Sequence, residues 1–317
     1  MGDQLRYWAA VDAIRNGTLS IIDALNGGNV EQASFFLALI PFPSPFSYIS
    51  LGFYNTALYI ILFFILFKKN VFTNVSIWFY LLYPSMALYS GLSLRDTLIF
   101  FFMILSILYA RESKAFKSIL CLLPLYLIKF QNFFIIGPIV LLYLLLKVSQ
   151  NGMKVGKAFM IFLISMIGLI LAAPLAIPQI NYFRAAMYRE DGGEGQVELI
   201  TGIGDFVLEG LTSGIYFLAK PFVWEASGLL PLIQSLENVV ILGILFLITR
   251  QALKKAPDRL AFWLLFLGFS MSIYGLVVFN YGTAVRYRYP FIVIYILFVC
   301  ADCNIQKLLP KAIKTNV

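Results

Sequence analysis

The sequence predicts an all-α fold: a polytopic transmembrane helical bundle of about eight to nine membrane segments, with re-entrant or interfacial helices on its outer face. Three observations carry this. The 317 residues are 61% hydrophobic and only 13% charged, against roughly half apolar and a quarter charged in soluble domains. Several apolar runs approach the roughly 20 residues a spanning helix needs. The connections between those runs alternate between basic and mixed or acidic. A β-barrel would show short alternating segments instead.

The opening stretch "GDQLRYWAAVDAIRNG" is polar and helix-like. Asp3 and Tyr7 stand four apart, which places them on one helix face. The next apolar stretch, 33–49, contains three prolines. Proline breaks helix interiors, so it is expected to be re-entrant or interfacial. Residues 1–49 thus form an outer-face helix and a re-entrant piece. The spans follow at about 50–67, 73–91, 96–110, a shorter pair at 117–128 and 132–147, then 158–178, 232–249, 260–279 and 287–302. Residues 179–230 are expected to form a long extracytoplasmic loop. Its aromatic, amphipathic part "GDFVLEGLTSGIYFLAKPFVWEASGLLP" suits the membrane interface. The whole chain, 1–317, is expected to be a single integral membrane domain.

One set of connections carries Lys68 and Lys69; Arg111, Lys114 and Lys117; Lys147, Lys154 and Lys157; Arg250, Lys254, Lys255 and Arg259; and Lys307, Lys311 and Lys314. The positive-inside rule places all five in the cytoplasm. The expected location is a bacterial inner (cytoplasmic) membrane, with the N-terminus outside and the C-terminus inside. The net charge of +8 is accounted for by these loops, and no nucleic-acid partner is expected. The chain has no histidine, which removes the usual general base near neutral pH. Cys300 and Cys303 form an isolated C-A-D-C, too little context for a redox or metal role. No ligand set for a divalent metal is evident, and no cofactor is expected.

Ionisable groups at helix ends are the functional candidates. Arg95 and Asp96 open the helix in "YSGLSLRDTLIFF"; Asp96 suits a helix-capping role or a local ion pair, and Arg95 a phosphate. Asp3 equally suits an N-cap. Arg286 and Arg288 alternate with Tyr287 and Tyr289 in "NYGTAVRYRYPF", read as lying just before a helix begun by Pro290. Arginine grips phosphate bidentately, and a snorkelling interfacial cluster is the alternative. Lys129, in "LIKFQN", and Arg184 are further cations on the same side.

"GDQLRYWAAVDAIRNG" resembles the first outer-loop signature of the GT-C superfamily of polyprenyl-phosphate-dependent glycosyltransferases, in which an acidic residue is followed by Tyr and a small-residue helix. "YPSMALYSGLSLRDTL", "LAKPFVWEASGLLPLIQSLENVVIL" and "NYGTAVRYRYPFIVIYILFV" resemble segments of bacterial surface-polysaccharide membrane proteins, including O-antigen and capsule polymerases. The resemblance implies Asp3 as catalytic base and Arg286 and Arg288 on a lipid phosphate; by position in the sequence, Tyr7 and Asp96 are expected beside Asp3, and Arg95, Lys129 and Arg184 among the phosphate-binding cations. It implies an inverting transferase working on a polyprenyl-linked sugar or glycan within the membrane lipid, alongside other polysaccharide-assembly proteins. The superfamily's first helix is missing before Asp3, and an upstream helix is expected. A repeat-unit polymerase, a non-catalytic flippase or transporter, and an assembly subunit stay open as alternatives.

Overall fold

The computed structural model describes residues 2–146, 155–190, 197–226 and 228–307. Lys147, Lys154, Lys311, Lys314 and the Gly-rich stretch 191–196 lie outside them, as does the side chain of Lys157. The described residues are helical with no strand. Among them four helices are long and apolar enough to cross a membrane, or five if one bent pair counts as a span. The chain divides into two compact units, Met1–Val71 with Leu82–Asn151, and Phe72–Leu81 with Gly152–Val317.

In the first unit, α1 (Gly2–Arg15), α2 (Ile21–Asn26) and α3 (Asn29–Ala38) precede the candidate span α4 (Tyr48–Lys68). Gly17, at φ +73°, turns the chain after α1, a conformation glycine adopts without a Cβ clash. Tyr7 and Val11 of α1 are buried, as are Ala33, Ser34 and Leu37 of α3. Ser34 Oγ donates to the Tyr7 carbonyl at 3.3 Å. The proline-broken stretch is an irregular strap tied at several points. Trp8 Nε1 donates to Pro45 O at 2.8 Å, Tyr54 Oη donates to Pro43 O, and the Arg15 guanidinium donates to the carbonyls of Ala38, Ile40 and Phe42.

The expected span 73–91 is broken. α5 (Asn74–Leu82) stops and α6 (Pro84–Gly91) starts anew. Pro84 has no N–H to continue the ladder, and Tyr83 before it is extended at φ −71°, ψ 109°. After α6 the chain turns through a 116° bend into α7 (Asp96–Arg111). α7 is the hub of this unit, packing on α4, α8 (Ala115–Ile128) and α9 (Phe130–Leu146). Its residues Leu98, Phe100, Met103, Ile104 and Ile107 are buried.

In the second unit, α10 (Val155–Glu190) continues well past 178, where the sequence suggested a loop. Pro174 and Pro178 lie inside the helix; prolines are tolerated in apolar helices when neighbours re-satisfy the freed carbonyls. α11 (Ile203–Ala219) follows, then a 3-10 turn at Val223–Glu225, then α12 (Leu229–Lys255), α13 (Pro257–Val277) and α14 (Tyr281–Asp302). α13 is the hub, contacting α10, α11, α12 and α14. Its seam with α11 is made of small residues. A Cβ on Gly214 would lie 2.9 Å from the Ser272 backbone, and one on Gly275 2.3 Å from Ser213 O. Such close backbone approach is how small residues join helices in lipid. Phe291 to Cys300 of α14 are fully buried.

Candidate functional site

The corner between α6 and α7 gathers several of the sequence candidates. It is docked on α4 by close contact and by polar side chains. A Cβ on Gly52 would meet Gly91 O at 2.4 Å, so the two backbones touch. The fully buried Asn55 sends Nδ2 to the carbonyls of Leu92 and Leu94, both at 2.6 Å, and Ser93 Oγ donates to Tyr48 O. This corner fixes Arg95 as the residue before α7 and puts Asp96 in its first turn.

Two further elements reach the corner. Ser93 N donates to Gln4 Oε1 at 3.4 Å, which brings the start of α1 to it. Arg95 Nη1 donates to Ile128 O at 2.8 Å and to Asn29 O at 3.4 Å. It thereby caps the end of α8, where cations are favoured, and touches the start of α3. Lys129 follows at once in the break between α8 and α9, with φ −156° and ψ 84°. One end of the first unit thus holds Asp3, Arg95, Asp96 and Lys129, drawn from positions more than 120 residues apart.

Their exposure differs. Asp3 is exposed, Arg95 half-buried, Asp96 4% exposed and Lys129 9% exposed. Tyr7 is buried at 4%. Its one-turn separation from Asp3 leaves Asp3 at the open tip while Tyr7 enters the seam with α3. Chemically this end offers an accessible carboxylate, a guanidinium with donors to spare, and a largely buried Asp and Lys.

Arg184, Arg286 and Arg288 belong to the second unit. The expectation that Pro290 starts a helix is corrected: α14 begins at Tyr281, with the Asn280 side chain accepting from Gly282 N and Pro290 inside. On a helix, residues two apart point about 200° apart. Arg288 is therefore 2% exposed, and its Nη1 donates to the carbonyls of Phe217, Leu218 and Lys220, at 2.9, 2.9 and 2.6 Å. It caps the end of α11. Arg286 is half-buried, its guanidinium 5.6 Å from the Tyr287 ring centre. Arg184 Nη1 donates to Glu209 at 3.0 Å and to Leu276 O at 2.9 Å, and its Nη2 to Glu198 O at 3.0 Å. Three of the arginines proposed from sequence as phosphate ligands, Arg95, Arg184 and Arg288, thus hold main-chain carbonyls.

Sequence reasoning passed over Arg15 and Asn55, which hold the strap and the corner. Asn55 carried a signal, a lone amide in an apolar run. Arg15 carried a weaker one, a cation in a last helical turn.

The other end of the first unit is basic. Lys69 and Lys114 each place Nζ 2.6 Å from a Glu112 carboxylate oxygen. Burial disfavours the Glu112 carboxylate, but the hydrogen bonds and charges of Lys114 and Lys69 outweigh it and hold its pKa below the usual value. In the second unit, Cys303 is a buried free thiol, its pKa pushed up to about 12 chiefly by burial. Among the described residues no group of three His, Cys, Asp or Glu side chains is placed to hold a metal ion.

No family model, no curated protein and no solved structure matches this chain.

Proposed function

We propose that the chain is a membrane glycosyltransferase acting at the extracytoplasmic face on a sugar carried by polyprenyl phosphate, in surface-polysaccharide assembly. The observation that supports it best is the gathering of Asp3, Arg95, Asp96 and Lys129 at one end of the first unit. Lys69, Glu112 and Lys114 lie at the opposite end of α7. With the basic end in the cytoplasm, the carboxylate-bearing end faces outward. On this reading α4, α6 with α7, α8, α9, α10, α12, α13 and α14 supply the membrane segments.

Asp3 takes the proton of an acceptor hydroxyl. The acceptor oxygen bonds to the anomeric carbon as the bond to the phosphate oxygen breaks, inverting that centre. The leaving lipid phosphate keeps the electron pair, and Lys129 and Arg95 stabilise its charge. Arg184 and Arg288 are assigned to the scaffold.

The test is Asp3→Asn in a lipid-linked glycan assay on membranes holding equal amounts of folded protein. Loss of a general base costs about 10²–10⁴-fold in rate, and that loss is expected. A wild-type rate would remove Asp3 from the reaction.

A further inference from the structure

A cavity of about 530 Å³ opens where α12, α13 and α14 meet at one end of the second unit. It is lined by Lys255, Asp258, Arg259, Asp302, Cys303 and Asn304, with Ala256 and Pro257 at the corner. This volume falls within the usual range for small-molecule sites, roughly 300–1,000 Å³. The position is distinctive. α12, α13 and α14 are all long and apolar enough to cross a membrane, and the cavity lies where their apolar sequence gives way to charge.

The cavity walls carry both signs of charge. Lys255 Nζ donates to Asn304 O at 2.8 Å, and Arg259 Nη1 donates to Asp302 O. An ammonium has three donors and a guanidinium five, so both side chains keep N–H groups for an anion. On the acidic side, Asp302 Oδ2 accepts from Trp263 Nε1 at 3.1 Å. Asp258 differs: its Oδ1 is buried and accepts no hydrogen bond among the described residues. A buried acceptor left without a donor is destabilising, and a ligand N–H drawn to this carboxylate would relieve it. Beyond this end, α12 and α13 carry exposed apolar side chains, among them Leu253 at 60% and Leu264 at 42% exposure.

We infer that this cavity binds the headgroup of a membrane phospholipid carrying a phosphodiester and a primary ammonium. The phosphodiester meets Lys255 and Arg259, the ammonium meets the Asp258 carboxylate, and the acyl chains lie along the apolar lengths of α12 and α13. A free phosphate would satisfy the cations but leave Asp258 and the leucines uncovered. The inference rests on the membrane character of these helices and not on the proposed transferase activity.

The test follows thermal unfolding of the full chain in detergent while ligand is added. The probes are a short-chain phosphatidylethanolamine, its choline analogue, chain-free glycerophosphoethanolamine and inorganic phosphate. The choline analogue keeps the phosphodiester but has no ammonium N–H. Phosphatidylethanolamine is expected to raise the midpoint at concentrations at least tenfold below those the other three require. Lys255→Ala with Arg259→Ala should weaken that response tenfold or more. Lys255→Gln, which keeps a donor for Asn304 O, should weaken it in part and guards against loss of folding in the double variant. Asp258→Asn should erase the ethanolamine-over-choline preference. Equal responses from wild type and the cation variants would overturn the site. Inorganic phosphate acting as well as the lipid would overturn its assignment to a phospholipid, and a preference surviving Asp258→Asn would overturn the role of the ammonium.

Discussion

Gly275→Ala tests whether α11 is held to α13 by backbone contact. The added Cβ would sit 2.3 Å from Ser213 O, 2.5 Å from Ser213 C and 2.8 Å from Gly214 N. Ordinary contact starts at 3.4 Å, so the helices must part by about 1 Å, and overpacking of this kind costs about 1–3 kcal/mol. All three atoms are main chain, so no side chain can swing aside. Helix propensity returns up to about 1 kcal/mol for glycine to alanine. The net expectation is a loss of about 1–2 kcal/mol, roughly 5- to 30-fold in the unfolding equilibrium. The same parting would strain the Arg184–Glu209 contact at 3.0 Å. Gly268→Ala on the same helix is the control, because nothing lies within 4 Å of its added Cβ; it should be neutral or up to about 1 kcal/mol stabilising. The assay is reversible unfolding of both variants in mixed micelles. A Gly275→Ala midpoint at or above that of Gly268→Ala would refute the close seam.

Four further outcomes are expected. Asn55→Ala should destabilise the first unit by about 2–3 kcal/mol, because the carbonyls of Leu92 and Leu94 lose their donor; chemical unfolding of the variant measures this. Glu112→Gln should cost under about 1 kcal/mol near neutral pH, since its lysine partners are 36% and 48% exposed. Glu112's folded pKa lies below the ordinary glutamate value of 4.5, so its contribution is present above pH 4.5 and lost as pH falls through the folded value. Unfolding of wild type and variant from pH 7 to 3 should therefore converge at the acid end. Ser113 ends α7 in the left-handed region at φ 58°, so Ser113→Gly should gain about 0.5–1 kcal/mol in the same unfolding assay. Single cysteines at Thr18 and Lys254, in a background without native cysteines, should react with an impermeant thiol reagent from opposite sides of the membrane; labelling from one side would refute the proposed orientation.

The sequence was legible where one physical cue dominated. The apolar runs located α4, α7 and α13 to within a few residues, because length and hydropathy act locally. Proline was an unreliable guide. Pro84 broke a span that looked continuous, while Pro174, Pro178 and Pro290 sit within helices. Whether a proline stops a helix depends on what receives the freed carbonyl, which is tertiary information. Arg288 shows the same limit from another side: an arginine in "RYRYP" reads as a phosphate ligand until the end of α11 is found beneath it. The juxtaposition of Asp3, Arg95 and Lys129 was only partly readable. It depends on the bend at 92–95 and on Gly52 and Asn55, which no local pattern announces.

α5 belongs to the second unit although both of its neighbours in the chain belong to the first. Ribosomes release a chain in order, so Phe72 emerges about 80 residues before Gly152 begins the remainder of its unit. At about 5–20 residues per second, this leaves a gap on the order of 4–16 s. Throughout that interval residues 72–81 await the remainder of their unit. A gene cut between 151 and 152 would consign them permanently to the wrong fragment, so coexpressed halves should reassemble poorly unless residues 72–81 travel with the second.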